Sequence, residues 1–62
     1  MTLKTVTPEK VMCGDEIIVN NQSGKVKYID GPDNHGTYDV HFIDKSGKEH
    51  IEIVTGVVTI NL

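Results

Sequence analysis

The sequence predicts an all-β chain, folded as a small barrel of five to six short antiparallel strands. Composition is the first ground. The 62 residues include eight Val, seven Ile and six Thr, against two Leu and no Ala. β-Branched side chains lose rotamer freedom in a helix and pack well on a pleated surface, and the strongest helix formers are nearly missing. The second ground is punctuation: strand-like runs alternate with Gly, Asn, Asp, Pro and Ser at short spacing, the pattern of a small barrel or sandwich. The third is length, which allows one hydrophobic core and therefore a single domain over residues 1–62.

Taken in order, Leu3 to Val6 reads as a first strand. Pro8 cannot donate to a central ladder and ends it, and Thr7-Pro8 can open one helical turn. Glu16 to Asn20 is the second strand and Lys25 to Asp30 the third. Gly31 to Gly36 is rich in turn-forming residues, Gly, Pro, Asp and Asn, and is a loop. Thr37 to Ile43 and Lys48 to Val54 follow as strands four and five, and Val57 to Asn61, after Thr55-Gly56, is the sixth.

Asn21-Gln22-Ser23-Gly24 and Asp44-Lys45-Ser46-Gly47 share a type I signature, Asn or Asp first and Gly fourth. As four-residue loops they would set the register of two hairpins. Val19 would then face Val26 and Ile17 face Tyr28; Val40 would face Ile51 and Tyr38 face Ile53. The expected core is Ile17, Val19, Val26, Tyr28 or Ile29, Tyr38, Val40, Phe42, Ile51 and Ile53, joined by some of Val57, Val58 and Ile60.

Val11-Met12-Cys13-Gly14-Asp15-Glu16-Ile17-Ile18-Val19, followed by Gly24-Lys25-Val26-Lys27-Tyr28-Ile29, resembles the KOW motif over about a third of the chain. The resemblance implies an SH3-like barrel, with RNA or a protein as partner. The loop between Val19 and Gly24 is shorter than in that motif, and the usual basic residues are few. Tyr38 to Glu49 separately resembles the central hairpin of Tudor domains, which cage methylated Lys or Arg among aromatic rings. Only Tyr28, Tyr38 and Phe42 are available for such a cage, and the register puts Tyr38 and Phe42 in the core.

Charge restricts the partners further. The net charge is −3, with six Lys and no Arg. An acidic domain repels phosphate backbones, and bidentate reading of guanine or phosphate is mainly the work of Arg. Nucleic acid is therefore disfavoured, although Lys25 and Lys27 alternate on one strand. No run is long enough to span a bilayer. The N-terminus lacks the apolar core of a signal peptide, and the lone Cys13 allows no internal disulfide. Together these lead us to expect a cytoplasmic protein with no membrane partner.

Catalysis finds little support. A nucleophilic thiol calls for a cationic neighbour or a base, whereas Cys13 has Asp15 and Glu16 beside it; a small buried or half-buried thiol is expected. There is no Gly-rich phosphate loop, no triad spacing and no cofactor signature. The expected register would bring His41 beside His50 and Asp39 beside Glu52 on the outer face, within reach of one metal ion. The plain alternative is a solvated polar face, since structural metal sites show tighter ligand spacing.

A non-catalytic interaction or accessory module, of the kind a phage or mobile element encodes, is the leading expectation. Its protein partner would be met through exposed loops, with Asp33, Asn34 and His35 in one and Asn21 and Gln22 in the other. A KOW-like nucleic-acid-associated protein and a surface metal-binding domain are the alternatives. The segment from Ile53 to Leu62 carries no charged side chain and would aggregate as a free edge. It must close the barrel or pair with a second copy, which makes a homo-oligomer through this strand the other option.

Overall fold

The computed structural model describes residues 2–62. Six strands form: β1 (Leu3–Val6), β2 (Glu16–Val19), β3 (Gln22–Asp30), β4 (Thr37–Ile43), β5 (Glu49–Thr55) and β6 (Val58–Asn61). A single 3-10 turn, Pro8–Lys10, separates β1 from β2, with Pro8 in its first turn as its fixed φ favours. No helix among the described residues is long and apolar enough to cross a membrane.

The strands make one antiparallel sheet in the order β1-β6-β2-β3-β4-β5. β3 binds it together. Gln22 to Lys25 pair with β2, and Lys25 to Asp30 pair with β4. Lys25 thus has Glu16 on one side and Ile43 on the other, and a bulge follows between Val26 and Tyr28. Bulges bend a strand and increase its twist. The sheet curls far enough that Asn20, in the β2–β3 turn, donates from Nδ2 to Glu52 Oε1 of β5 at 2.8 Å. It is not closed by a ladder: β1 and β5 are its edges, and an open cleft lined by Ile18, Val19, Val54 and Val58 separates β5 from β2 and β6.

The core is one cluster of Ile17, Val19, Val26, Tyr38, Val40, Phe42, Val54, Val58 and Ile60, with Val6, Val11 and Ile29 packed at its margin. Among the described residues none that is polar or charged is buried. Gly24 belongs to this packing and not to a turn. A Cβ on it would lie 2.5 Å from Ile43 O and 2.7 Å from Phe42 Cδ2.

The first hairpin therefore departs from the expected register. Its turn is Asn20-Asn21, both at positive φ (52° and 66°), and Val19 pairs with Gln22 and Ile17 with Gly24. A two-residue turn with two left-handed residues matches the right-handed twist of its strands, and Asn tolerates that conformation. The displacement is an even number of residues, so Ile17, Val19 and Val26 still share the inner face.

The second hairpin is offset by one residue, with larger consequences. Asp44 N donates to Lys48 O and Gly47 N to Asp44 O, both at 3.0 Å, and Gly47 has φ +86°. This is a type I turn followed by a left-handed Gly, a three-residue loop rather than the expected four. Val40 consequently faces Glu52 and Tyr38 faces Val54. Ile51 and Ile53, expected inside, are 57% and 66% exposed, and Val54 takes the core position. Tyr28 and Val57 are also exposed, as is Cys13, expected to be at least half-buried.

The last strand of the uncharged C-terminal segment, β6, is satisfied within the chain. β6 lies between β1 and β2, paired on both sides, so the free edge that would have joined it to a second copy does not exist.

Candidate functional site

The outer face of β3, β4 and β5 is where the one-residue offset is felt. Successive side chains on a strand point to opposite faces, so with Tyr38, Val40 and Phe42 inside, Asp39, His41 and Ile43 point outward. Across the ladder, Ile43 meets Glu49, His41 meets Ile51 and Asp39 meets Ile53. The result is an apolar stripe of Ile43, Ile51 and Ile53 broken by a few polar groups. Tyr28, 48% exposed, extends it onto β3.

Aromatic and ionic contacts hold this face in place. The rings of Tyr28 and His41 stack at 4.0 Å and 17°. Lys27 Nζ lies 3.1 Å from Glu49 Oε1, and His41 Nδ1 lies 3.5 Å from Glu49 Oε2. These neighbours, Lys27 first and His41 second, hold the Glu49 carboxyl below its ordinary value. Lys27 is therefore drawn into an ion pair, and the alternation of Lys25 and Lys27 does not leave two free ammonium groups side by side.

The four candidate metal ligands are not brought together. His50 stands opposite Phe42 on the inner face, stacked on its ring at 5.3 Å, with Nε2 2.7 Å from Asp44 Oδ2. His41 is on the other face. Asp39 is outside and Glu52 inside, where it accepts from Asn20. A one-residue change of register moves a whole strand's side chains to the opposite face, and that separates the two pairs. Among the described residues no group of three or more His, Cys, Asp or Glu could hold a metal ion.

The loop candidates are all exposed, yet they lie at opposite ends of β3 and form no common surface. Asn21 and Gln22 sit at its start, and Asp33, Asn34 and His35 follow its end. The second loop is tightly held. Asp33 Oδ1 accepts from His35 N at 2.8 Å and Thr37 N at 3.0 Å, and Gly36 N donates to Asp33 O. The amides of Thr37 and His35 keep the Asp33 carboxyl below its usual value. The β4–β5 turn repeats this arrangement: Asp44 Oδ1 accepts from Ser46 N at 2.9 Å and Lys48 N at 3.0 Å. Asp44 is likewise held well below the carboxylate range, chiefly by His50, then by the Ser46 hydroxyl and the Lys48 amide.

Reading the sequence placed Ile51 and Ile53 in the core and so missed them as surface residues. The signal was present in the repeated Asp-x-x-Gly of Asp33 to Gly36 and Asp44 to Gly47. Both build the same three-residue loop, and that loop places Val54, not Ile53, against the core. No family model, characterised protein or solved structure matches the chain.

Proposed function

We propose that this chain is a non-catalytic interaction module on an SH3-like barrel scaffold, and that it meets a protein partner through the outer face of β3, β4 and β5. The observation that carries the proposal is the adjacency of Tyr28, Ile43, Ile51 and Ile53, all more than a third exposed, on three neighbouring strands. Contiguous exposed apolar surface with a polar rim is the mark of a protein contact. Here the rim is Lys27, Glu49 and Asp39. The barrel assignment is supported by a long β3 shared between β2 and β4, by the curl that carries Asn20 to Glu52, and by the bend at Gly56 that leads β5 into β6.

The test compares retention of protein from native cell extract on immobilised wild type and on an Ile51→Lys/Ile53→Lys variant. An Asn34→Lys variant serves as control, because it adds charge away from the face. A partner held by wild type and the control but lost from the double variant supports the proposal. A partner held equally by all three, or lost only from the control, contradicts it.

A further inference from the structure

β5 is an unusual edge. Protected edges are short, or carry Lys, Pro or a bulge. β1, the other edge, has four residues and includes Lys4. β5 has seven residues, Glu49–Thr55, with no Lys and no Pro, and pairs with β4 without a register shift. Its two carboxylates are engaged within the molecule, Glu49 by Lys27 and Glu52 by Asn20.

The direction of its free backbone groups follows from the turn. The Asp44 N to Lys48 O bond makes residues 44 and 48 a hydrogen-bonded pair. Such pairs alternate along an antiparallel ladder, so His50, Glu52 and Val54 bond towards β4. The N–H and C=O groups of Glu49, Ile51, Ile53 and Thr55 point to the open edge. Two of them, Ile51 and Ile53, carry the β5 part of the exposed apolar stripe.

Resting on the surface reading above, we infer that the partner is a second copy of this chain, and that β5 pairs antiparallel with β5 of that copy about a two-fold axis at Ile51. In this register Ile51 faces Ile51, and Glu49 faces Ile53 on either side of the axis. All three pairs are of the hydrogen-bonded kind, each exchanging both N–H···O bonds. Ile51 and Ile53 of both copies then form one zigzag on the outer face, where diagonal neighbours still touch.

Charge selects this register over the next one. With the axis at Ile51, His50 of each copy faces Glu52 of the other on the inner face. His50 engages Asp44 through Nε2, and its Nδ1 has no hydrogen bond among the described residues. Glu52 uses Oε1 for Asn20, which leaves Oε2 for the incoming imidazole. Moving the axis to Glu52 would set two carboxylates directly opposite each other, a destabilising pair.

Sedimentation equilibrium from micromolar to millimolar concentration tests the inference on wild type, Ile51→Lys, Ile51→Thr and Glu52→Gln, each checked for native circular dichroism. The wild type is expected to approach twice the 6.8 kDa chain mass. Ile51→Lys sets like charges at the axis and should weaken association by more than about thirtyfold. Ile51→Thr keeps β-propensity, guards against a folding defect in the Lys variant, and should weaken it less. Glu52→Gln should weaken it roughly tenfold, the worth of two cross-strand hydrogen-bonded pairs. A wild type that stays monomeric overturns the inference, as does a dimer indifferent to Ile51→Lys or one tightened by Glu52→Gln. A monomer that still retains a partner through Ile51 and Ile53 removes the second copy alone. Loss of that partner dependence removes the surface reading itself.

Discussion

Val40 stands directly opposite Glu52 across the β4–β5 ladder, with both side chains on the inner face of the sheet. Glu52 is kept there by the amide of Asn20, and Val40 is fully buried. Had Val40 met Ile51, the outer face would be polar and the two histidines would be neighbours. The observed pairing makes the outer face apolar and parts them.

The offset makes Val54 and Ile53 energetically unlike, although sequence alone ranks Ile53 the better core residue. Val54→Ala should cost about 1–3 kcal/mol through lost burial and a residual cavity. Ile53→Ala should stay within about 0.5 kcal/mol. Urea denaturation of both variants checks this, and the reverse order would refute the observed pairing.

Gly24 is constrained by contact. With Phe42 Cδ2 and the Ile43 carbonyl both inside 3 Å of any added Cβ, Gly24→Ala must displace backbone. A loss of about 1–3 kcal/mol or more is expected, as for overpacking in general. A variant as stable as wild type in the same denaturation experiment would show that β3 does not cross β4 as described.

Asn21 has φ 66°, a region costly for side chains branched at Cβ. Asn21→Gly should be near neutral, while Asn21→Val should lose roughly 1–2 kcal/mol. Thermal unfolding distinguishes them. Equal midpoints would mean that the turn lies elsewhere, for instance at Ser23-Gly24.

Acid should unfold the protein through three carboxylates, two in turns and one at the start of β5. Asp33, Asp44 and Glu49 are all held below their ordinary values in the folded chain. A depressed carboxyl contributes stability that is complete above its unfolded value, near pH 4, and is lost as pH falls through the folded value. Asp44→Asn keeps an acceptor for the Ser46 and Lys48 amides but loses the charge facing His50. The thermal midpoint of the variant should therefore fall less steeply than that of wild type below pH 4. Parallel curves would show that Asp44 is not a main source of the acid sensitivity.

Much of the fold was legible because the local signals agreed with one another. Val, Ile and Thr content, Pro8 and the Gly clusters place all six strands to within a few residues of where they lie. The inner faces of β2 and β4 also emerge, since each strand's own alternation of apolar and polar residues marks its inner side whatever register its partner takes. What was not legible was the difference between a three- and a four-residue turn. Asp44-Lys45-Ser46-Gly47 admits both, and only the bond from Asp44 N to Lys48 O separates them. Gly24 misled for a related reason: it reads as a turn residue, whereas its lack of a side chain serves close packing against Phe42. The candidate surface inherits these two uncertainties, because Ile51 and Ile53 lie inside or outside according to one residue of offset.

The pairing of β4 with β5 can be seen directly in a nuclear Overhauser spectrum of the protein. Non-hydrogen-bonded pairs bring their Cα atoms to about 4.5 Å, with the α-protons in close contact. Strong α-proton cross-peaks are expected between His41 and Ile51 and between Asp39 and Ile53. Cross-peaks joining Val40 to Ile51 and Tyr38 to Ile53 instead would return both isoleucines to the core and leave no apolar outer face to bind anything.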